Sequence, residues 1–281
     1  MFPVSSSPGV PVFDTESSGV LVYPRPPRYG RFDFPLFASL RGILFKISTS
    51  SVEMLGLQPP AVADDDDKPW AWHDMTAYAE PPFDVYRTVC HALHPDGRTL
   101  FVSVPIEFTS PRREITEHTF SLDAGEHLEW THRGEWMLPF KGQAYYDAEL
   151  DAWVGLCRHR EGLGHVCSCD LVPPLSASGD GKPMPPRWKL CGERLFRPDD
   201  ERHRGAKLWH MGSSRFCLVE VVARRGDKKM YPIRCVLRMT TFGLRYGKNG
   251  ELEIAGRMAR SSKSANKGLH DRSMEPVAFW M

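Results

Sequence analysis

The chain has 281 residues, 41% hydrophobic and 25% charged. That balance excludes a disordered or collagen-like polymer and leaves enough chain to bury a core without metals or disulfides. With 36 Lys and Arg against 35 Asp and Glu, the net charge is +1, so no global field draws the molecule to nucleic acid or a membrane surface.

The start, Met1 to Pro8, has neither the basic nor the apolar region of a secretory signal, and no apolar run reaches bilayer-spanning length. Seven cysteines without paired spacing, and no Asn-x-Ser/Thr acceptor, point to a reducing intracellular compartment, cytoplasm or nucleus.

In chain order, the elements read as strands with little helical periodicity. Phe13-Asp14-Thr15-Glu16 is followed by the strand Val20–Tyr23. Phe34 to Leu44 has the apolar content of an F-box start, but it carries a glycine and runs into Phe45-Lys46-Ile47-Ser48, so it reads as β. Ser51–Leu55 and Trp70-Ala71-Trp72 come next. His94-Pro95-Asp96-Gly97 is a tight turn joining Val89–Leu93 to the run from Thr99 to Val104, with proline presetting φ and glycine accepting a positive one. Trp153–Cys157 and His165–Leu171 form a second hairpin, and Arg238–Tyr246 and Glu251–Gly256 a third, closed by Asn249-Gly250.

A motif recurs along this series: a strand ending near an aspartate, a loop, then a strand with a bulky residue. Phe120-Ser121-Leu122-Asp123 precedes Leu128-Glu129-Trp130, and Cys169-Asp170-Leu171 precedes Trp188-Lys189-Leu190. Asp123 and Asp170 are spaced close to the roughly 50-residue kelch period. Counted in fours, the strands form a half unit at 10–24 and full units near 36–73, 88–133, 142–191 and 206–258. The expected fold is therefore all-β, a kelch-like β-propeller of about four and a half to five four-stranded blades, truncated or open at its N-terminus. Residues 1–258 form this domain and 259–281 a polar tail. An unpaired half blade leaves an edge, so either the molecule self-associates there or the Phe216–Gly256 strands lie beside residues 10–24.

The stretch Thr119-Phe120-Ser121-Leu122-Asp123, with Trp130 and Gly134-Glu135-Trp136-Met137-Leu138-Pro139-Phe140-Lys141-Gly142, is distinctive. So are Tyr146 to Leu156 and Met211 to Glu220. On these residues the chain resembles a grass-expanded plant family of kelch-like, F-box-associated-type proteins of unknown function, over roughly residues 10–258. The resemblance implies a propeller and no reaction. No F-box module precedes the strands, which weakens an adapter role in ubiquitin transfer.

The best metal candidates are Cys157, His159, His165, Cys167 and Cys169. Alternation places His165, Cys167 and Cys169 on one strand face, and pairing of Cys157 opposite Cys167 would bring Cys157 and His159 to it. The competing reading is that the thiols pack as small apolar groups, since flat C-x-C strands are not zinc knuckles. On that reading Cys167 and Cys169 are buried and unmetallated, and no cofactor is expected. His91 and His94 flank a turn. Asp64-Asp65-Asp66-Asp67-Lys68 lacks the spacing of a calcium loop. The basic pairs Arg112-Arg113, Arg202–Arg204, Arg224-Arg225 and Lys228-Lys229 are interrupted by acids, as in exposed loops. Glu149 and Asp151 are a carboxylate pair with no inferable cleft. No nucleophile elbow, phosphate-binding Gly-rich loop or His-Glu-x-x-His occurs.

The function expected is a non-enzymatic protein–protein interaction module with an unknown protein partner and no nucleic-acid or membrane target. The alternative is an enzyme or carbohydrate-binding propeller that uses loop residues around a central channel.

Overall fold

The computed structural model describes residues 10–13, 20–24, 35–57, 70–108, 114–125, 128–174, 184–223 and 235–263. The acidic run Asp64 to Lys68 and the basic pairs at 112–113, 224–225 and 228–229 lie outside these, as does most of the expected tail. Among the described residues the fold is all-β. Eighteen strands stand against one four-residue helix, α1 (Thr76–Ala79), and two single 3-10 turns.

The strands fall into antiparallel meanders in chain order. β1 (Val10–Phe13) and β2 (Val20–Tyr23) pair with each other. The first sheet is β3 (Leu36–Leu40), β4 (Ile43–Ser48), β5 (Ser51–Leu57) and β6 (Trp70–Asp74). The second is β7 (Cys90–Leu93), β8 (Thr99–Phe108), β9 (Glu114–Ala124) and β10 (Leu128–Gly134). The third is β11 (Phe140–Asp147), β12 (Ala152–Cys157), β13 (Val166–Cys169) and β14 (Trp188–Leu190). The fourth is β15 (His203–His210), β16 (Arg215–Ala223), β17 (Cys235–Tyr246) and β18 (Leu252–Lys263).

Three hairpins expected from turn chemistry are present, and the segment from Leu36 is the β3–β4 hairpin, as its β reading expected. Two boundaries differ from expectation. β18 continues to Lys263, pairing Ala259 with Thr240 and Lys263 with Val236, so the first five residues of the expected tail are strand. Among the described residues no ladder joins β1 or β2 to the fourth sheet.

Alternation along the central strands explains how the sheets stack. In β8, Leu100, Val102 and Val104 face a core shared with Leu40, Phe45, Ile47 and Val52 of the first sheet. The intervening Phe101 faces the other way, into a core with Phe140, Trp153, Cys157, Cys167 and Cys169 of the third sheet. In β12, Val154 and Leu156 turn instead to Leu208, Phe216, Leu218 and Phe242 of the fourth. A strand buried on both faces must read as a near-continuous apolar run, and Trp153-Val154-Gly155-Leu156-Cys157 does.

The stack is also tied edgewise and by side chains. β11 leaves β12 through an irregularity between Lys141 and Tyr145, and its residues Gly142–Ala144 pair in parallel with Cys90–Ala92 of β7. Three indoles each donate to a carbonyl earlier in the chain: Trp72 to Pro24, Trp130 to Ala79 and Trp153 to Leu93.

The β7–β8 turn shows how local chemistry sets these joints. The Asp96 carboxylate accepts from the Arg98 and Thr99 amides, each at 2.9 Å, and from the Thr99 hydroxyl at 2.7 Å. Gly97 sits at φ +69, and its carbonyl accepts the Arg41 amide of the first sheet. A Cβ at Gly97 would meet nothing within 4 Å, so only the left-handed backbone opposes a side chain there. Gly97→Ala is expected to cost about 1 kcal/mol, read from the urea midpoint. A loss several times larger would mean that the turn is strained by more than φ.

Candidate functional site

The five candidate metal-site residues, Cys157, His159, His165, Cys167 and Cys169, do not gather into one metal-binding group. The Cys157 amide donates to the His165 carbonyl, which sets Cys157 opposite His165 and Gly155 opposite Cys167. The register differs by two residues from a direct Cys157–Cys167 pairing, the condition for bringing the ligands together, and it still leaves Cys157 and Cys167 on one face. The thiols are buried, Cys157 at 2%, Cys167 at 0% and Cys169 at 1% exposure, as expected for the last two. The Cys157 thiol is held down to about 7 by a hydrogen bond with Cys167, which outweighs burial; burial pushes the Cys167 thiol up.

The imidazoles are committed elsewhere. His159 stacks on Trp188 at 4.7 Å, and His165 Nδ1 donates to the Cys191 carbonyl at 2.9 Å. Among the described residues no group of three or more His, Cys, Asp or Glu side chains is placed to hold a metal ion.

Two polar constellations emerge that the local sequence does not announce. The first is centred on Asp147, where β11 turns into β12. Its carboxylate is 1% exposed. Oδ1 accepts the Ser214 hydroxyl at 2.6 Å and the Leu150 and Glu149 amides; Oδ2 accepts the Ser214 amide at 2.9 Å and His210 Nε2 at 2.8 Å. These are the residue types of a hydrolase triad in the wrong order. The carboxylate stands between the imidazole and the hydroxyl and takes both donors, whereas a triad needs the imidazole between them to remove the serine proton. What the arrangement does is lock the β15–β16 turn, with Ser213 and Ser214 at φ +47 and +51, onto the third sheet.

The second is a cavity of about 360 Å³ beside the fourth sheet, lined by Arg194, Leu195, Phe196, Arg197, Asp200, Glu220 and Arg238. Its floor is Glu220, a buried carboxylate on β16 that accepts His203 Nδ1 from β15 and Arg238 Nη1 from β17, both at 3.1 Å. Its wall is the loop between β14 and β15, where the Phe196 ring stacks on His203 at 5.1 Å. Asp200 is held down to about 2 by the Arg202 guanidinium hydrogen-bonded to it. In the sequence Arg202–Arg204 reads as an ordinary exposed loop and Arg238 only as the start of a hairpin strand. The lining comes from three separated segments, so no spacing rule could have assembled it.

Residues 3–262 match the model of a family described as Protein of unknown function (DUF1668). The chain belongs to that family. The matched DUF1668 span takes in the Asp147 junction, the buried thiols and every residue lining the cavity. No curated protein matches the chain. Among the described residues of this DUF1668 chain, no helix is long and apolar enough to cross a membrane.

Proposed function

We propose that this DUF1668 chain is a non-enzymatic protein–protein interaction module on a kelch-like β-propeller scaffold. Support for the scaffold comes from the stacking. Four consecutive four-stranded meanders pack face to face in chain order, and the leading strands β7 and β11 run parallel, as inner strands do around a propeller axis. On this reading β1–β2 is the half blade. Free thiols at Cys90, Cys157, Cys167, Cys169, Cys191 and Cys217 fit a reducing compartment, cytoplasm or nucleus.

The observation that carries the interaction role is the connection between the first and second sheets. It presents Tyr78 at 74% and Tyr86 at 69% exposure, while Ala79, Phe83 and Val85 of the same segment are buried. Tyrosines on an anchored loop supply contact area at low entropic cost, the signature of recognition surfaces. Asp84 holds the second tyrosine's turn by accepting the Tyr86 amide, and it also accepts the Thr49 hydroxyl of the first sheet.

The test is quantitative capture from plant cell extract with the wild-type chain and the Tyr78→Ala/Tyr86→Ala variant, matched for folding by melting temperature. A defined set of co-purifying proteins reduced about tenfold or more by the double substitution is expected, equivalent to about 1.4 kcal/mol. An unchanged set would remove this surface from the proposal.

A further inference from the structure

Both carboxylates lining the cavity beside the fourth sheet are already spent. Asp200 takes the Arg202 amide and Nε on Oδ1 and Nη2 on Oδ2. Glu220 takes His203 on one oxygen and Arg238 on the other. The side chains of Arg194 and Arg197, residues also in the lining, have no hydrogen-bond or ion-pair partner among the described residues. The lining therefore includes two arginines whose guanidinium groups are uncommitted among the described residues, beside a third, Arg238, that uses one nitrogen on Glu220.

Their backbone is fixed in advance. The Leu195 and Phe196 amides both donate to the Gly164 carbonyl, at 2.8 and 3.3 Å, and the Asp200 amide closes on the Arg197 carbonyl. Leu195 is 5% exposed and its carbonyl accepts Arg257 Nη2. Gly164, at φ +86, admits this approach only because it lacks a Cβ, which would lie 2.1 Å from the Phe196 carbonyl oxygen. A loop clamped this tightly carries its side chains with little backbone entropy left to lose on binding.

Guanidinium forks on a fixed backbone match a group with several charged oxygens. A phosphate monoester presents three oxygens and close to two negative charges at neutral pH, and arginine binds it through paired N–H donors. The volume suits one such group with a small organic body. We propose that the cavity lined by Arg194, Arg197 and Arg238 binds a phosphate monoester. The site stands independently of the interaction surface at Tyr78 and Tyr86.

The experiment is calorimetric titration of the full chain with phenyl phosphate, with phenol as the uncharged control. A phosphoserine peptide is the second arm. Saturable one-to-one binding of phenyl phosphate, with none of phenol, is expected. Arg194→Gln/Arg197→Gln should weaken it about tenfold or more, and Arg194→Lys/Arg197→Lys should restore only part, because an ammonium lacks the fork. Both arginines are exposed, so an unchanged melting temperature confirms that these variants fold. Equal affinity for peptide and phenyl phosphate would support a site for the monoester alone, and tighter peptide binding a site for a partner-borne phosphate. Absence of saturation by either up to about 10 mM, or affinity indifferent to the glutamine pair, would overturn the proposal.

Discussion

Asp147→Ala is expected to destabilise the protein by about 3–5 kcal/mol, the range for stranding the partners of a buried charge. Five donors converge on this carboxylate, two from its own turn and three from His210 and Ser214. Alanine would leave the Ser214 amide and hydroxyl and His210 Nε2 facing a dry gap between the third and fourth sheets. The urea midpoint should fall accordingly; a shift below about 1 kcal/mol would show that water takes over these donors.

The same carboxylate imposes a pH signature. Burial opposes its ionisation, but the hydrogen bonds from Ser214, the Leu150 amide and His210 outweigh that and hold its pKa below the ordinary 3.8. Because the folded value is the lower one, this stabilisation is complete above pH 3.8 and is lost as the pH falls through the depressed value. Asp147→Asn should flatten the acid limb of the stability curve in that window. An acid limb identical to wild type would place the acid sensitivity elsewhere.

Trp153→Ala is expected to cost a similar 3–5 kcal/mol for a different reason. The ring is 0% exposed, lies edge-on to Phe101 at 5.2 Å and donates from Nε1 to the Leu93 carbonyl at 2.8 Å. It is thus a plug from the third sheet seated in the second, and its removal opens a cavity lined on both sides. Trp153→Phe keeps most of the ring and orphans only the Leu93 carbonyl, so about 1–2 kcal/mol is expected. Faster alkylation of Cys157, Cys167 and Cys169, which share that core, should accompany the alanine variant. Equal losses for the two variants would assign the whole effect to the hydrogen bond.

Much of the fold was legible because strand alternation and turn chemistry are local. Pro95-Asp96-Gly97 and Asn249-Gly250 mark real hairpins, and the expected span 36–73 lies against an observed Leu36–Asp74. Two details lay beyond local signals for physical reasons. Periodicity sets the face of a strand but leaves slips of two residues open; the 3-10 turn Arg160–Gly162 shortens the loop and sets Cys157 opposite His165. The end of β18 was missed because a strand on the outside of a sheet needs no apolar run, and Ala259 to Lys263 is polar. The candidate site was hardly legible at all. Arg194 and Arg197 meet Glu220 and Arg238 only through the pairing of β16 with β17 and the clamp at Gly164, which are long-range outcomes of folding.

The parallel ladder between β7 and β11 has a mechanical corollary. Strand β7 is hydrogen-bonded on both edges, to β8 and to β11, so the second and third sheets form one continuous eight-stranded plate. Among the described residues, the third sheet against the fourth is joined by packing and side-chain tethers, and the first against the second by these and the single Arg41–Gly97 backbone bond, in neither case by such a ladder. Under load or thermal agitation the seams on either side of the plate are expected to open before the ladder at its centre. Amide protons of Cys90 to Ala92, held between β8 and β11, sit at the stiff centre, where exchange with solvent is expected to wait for the plate to break.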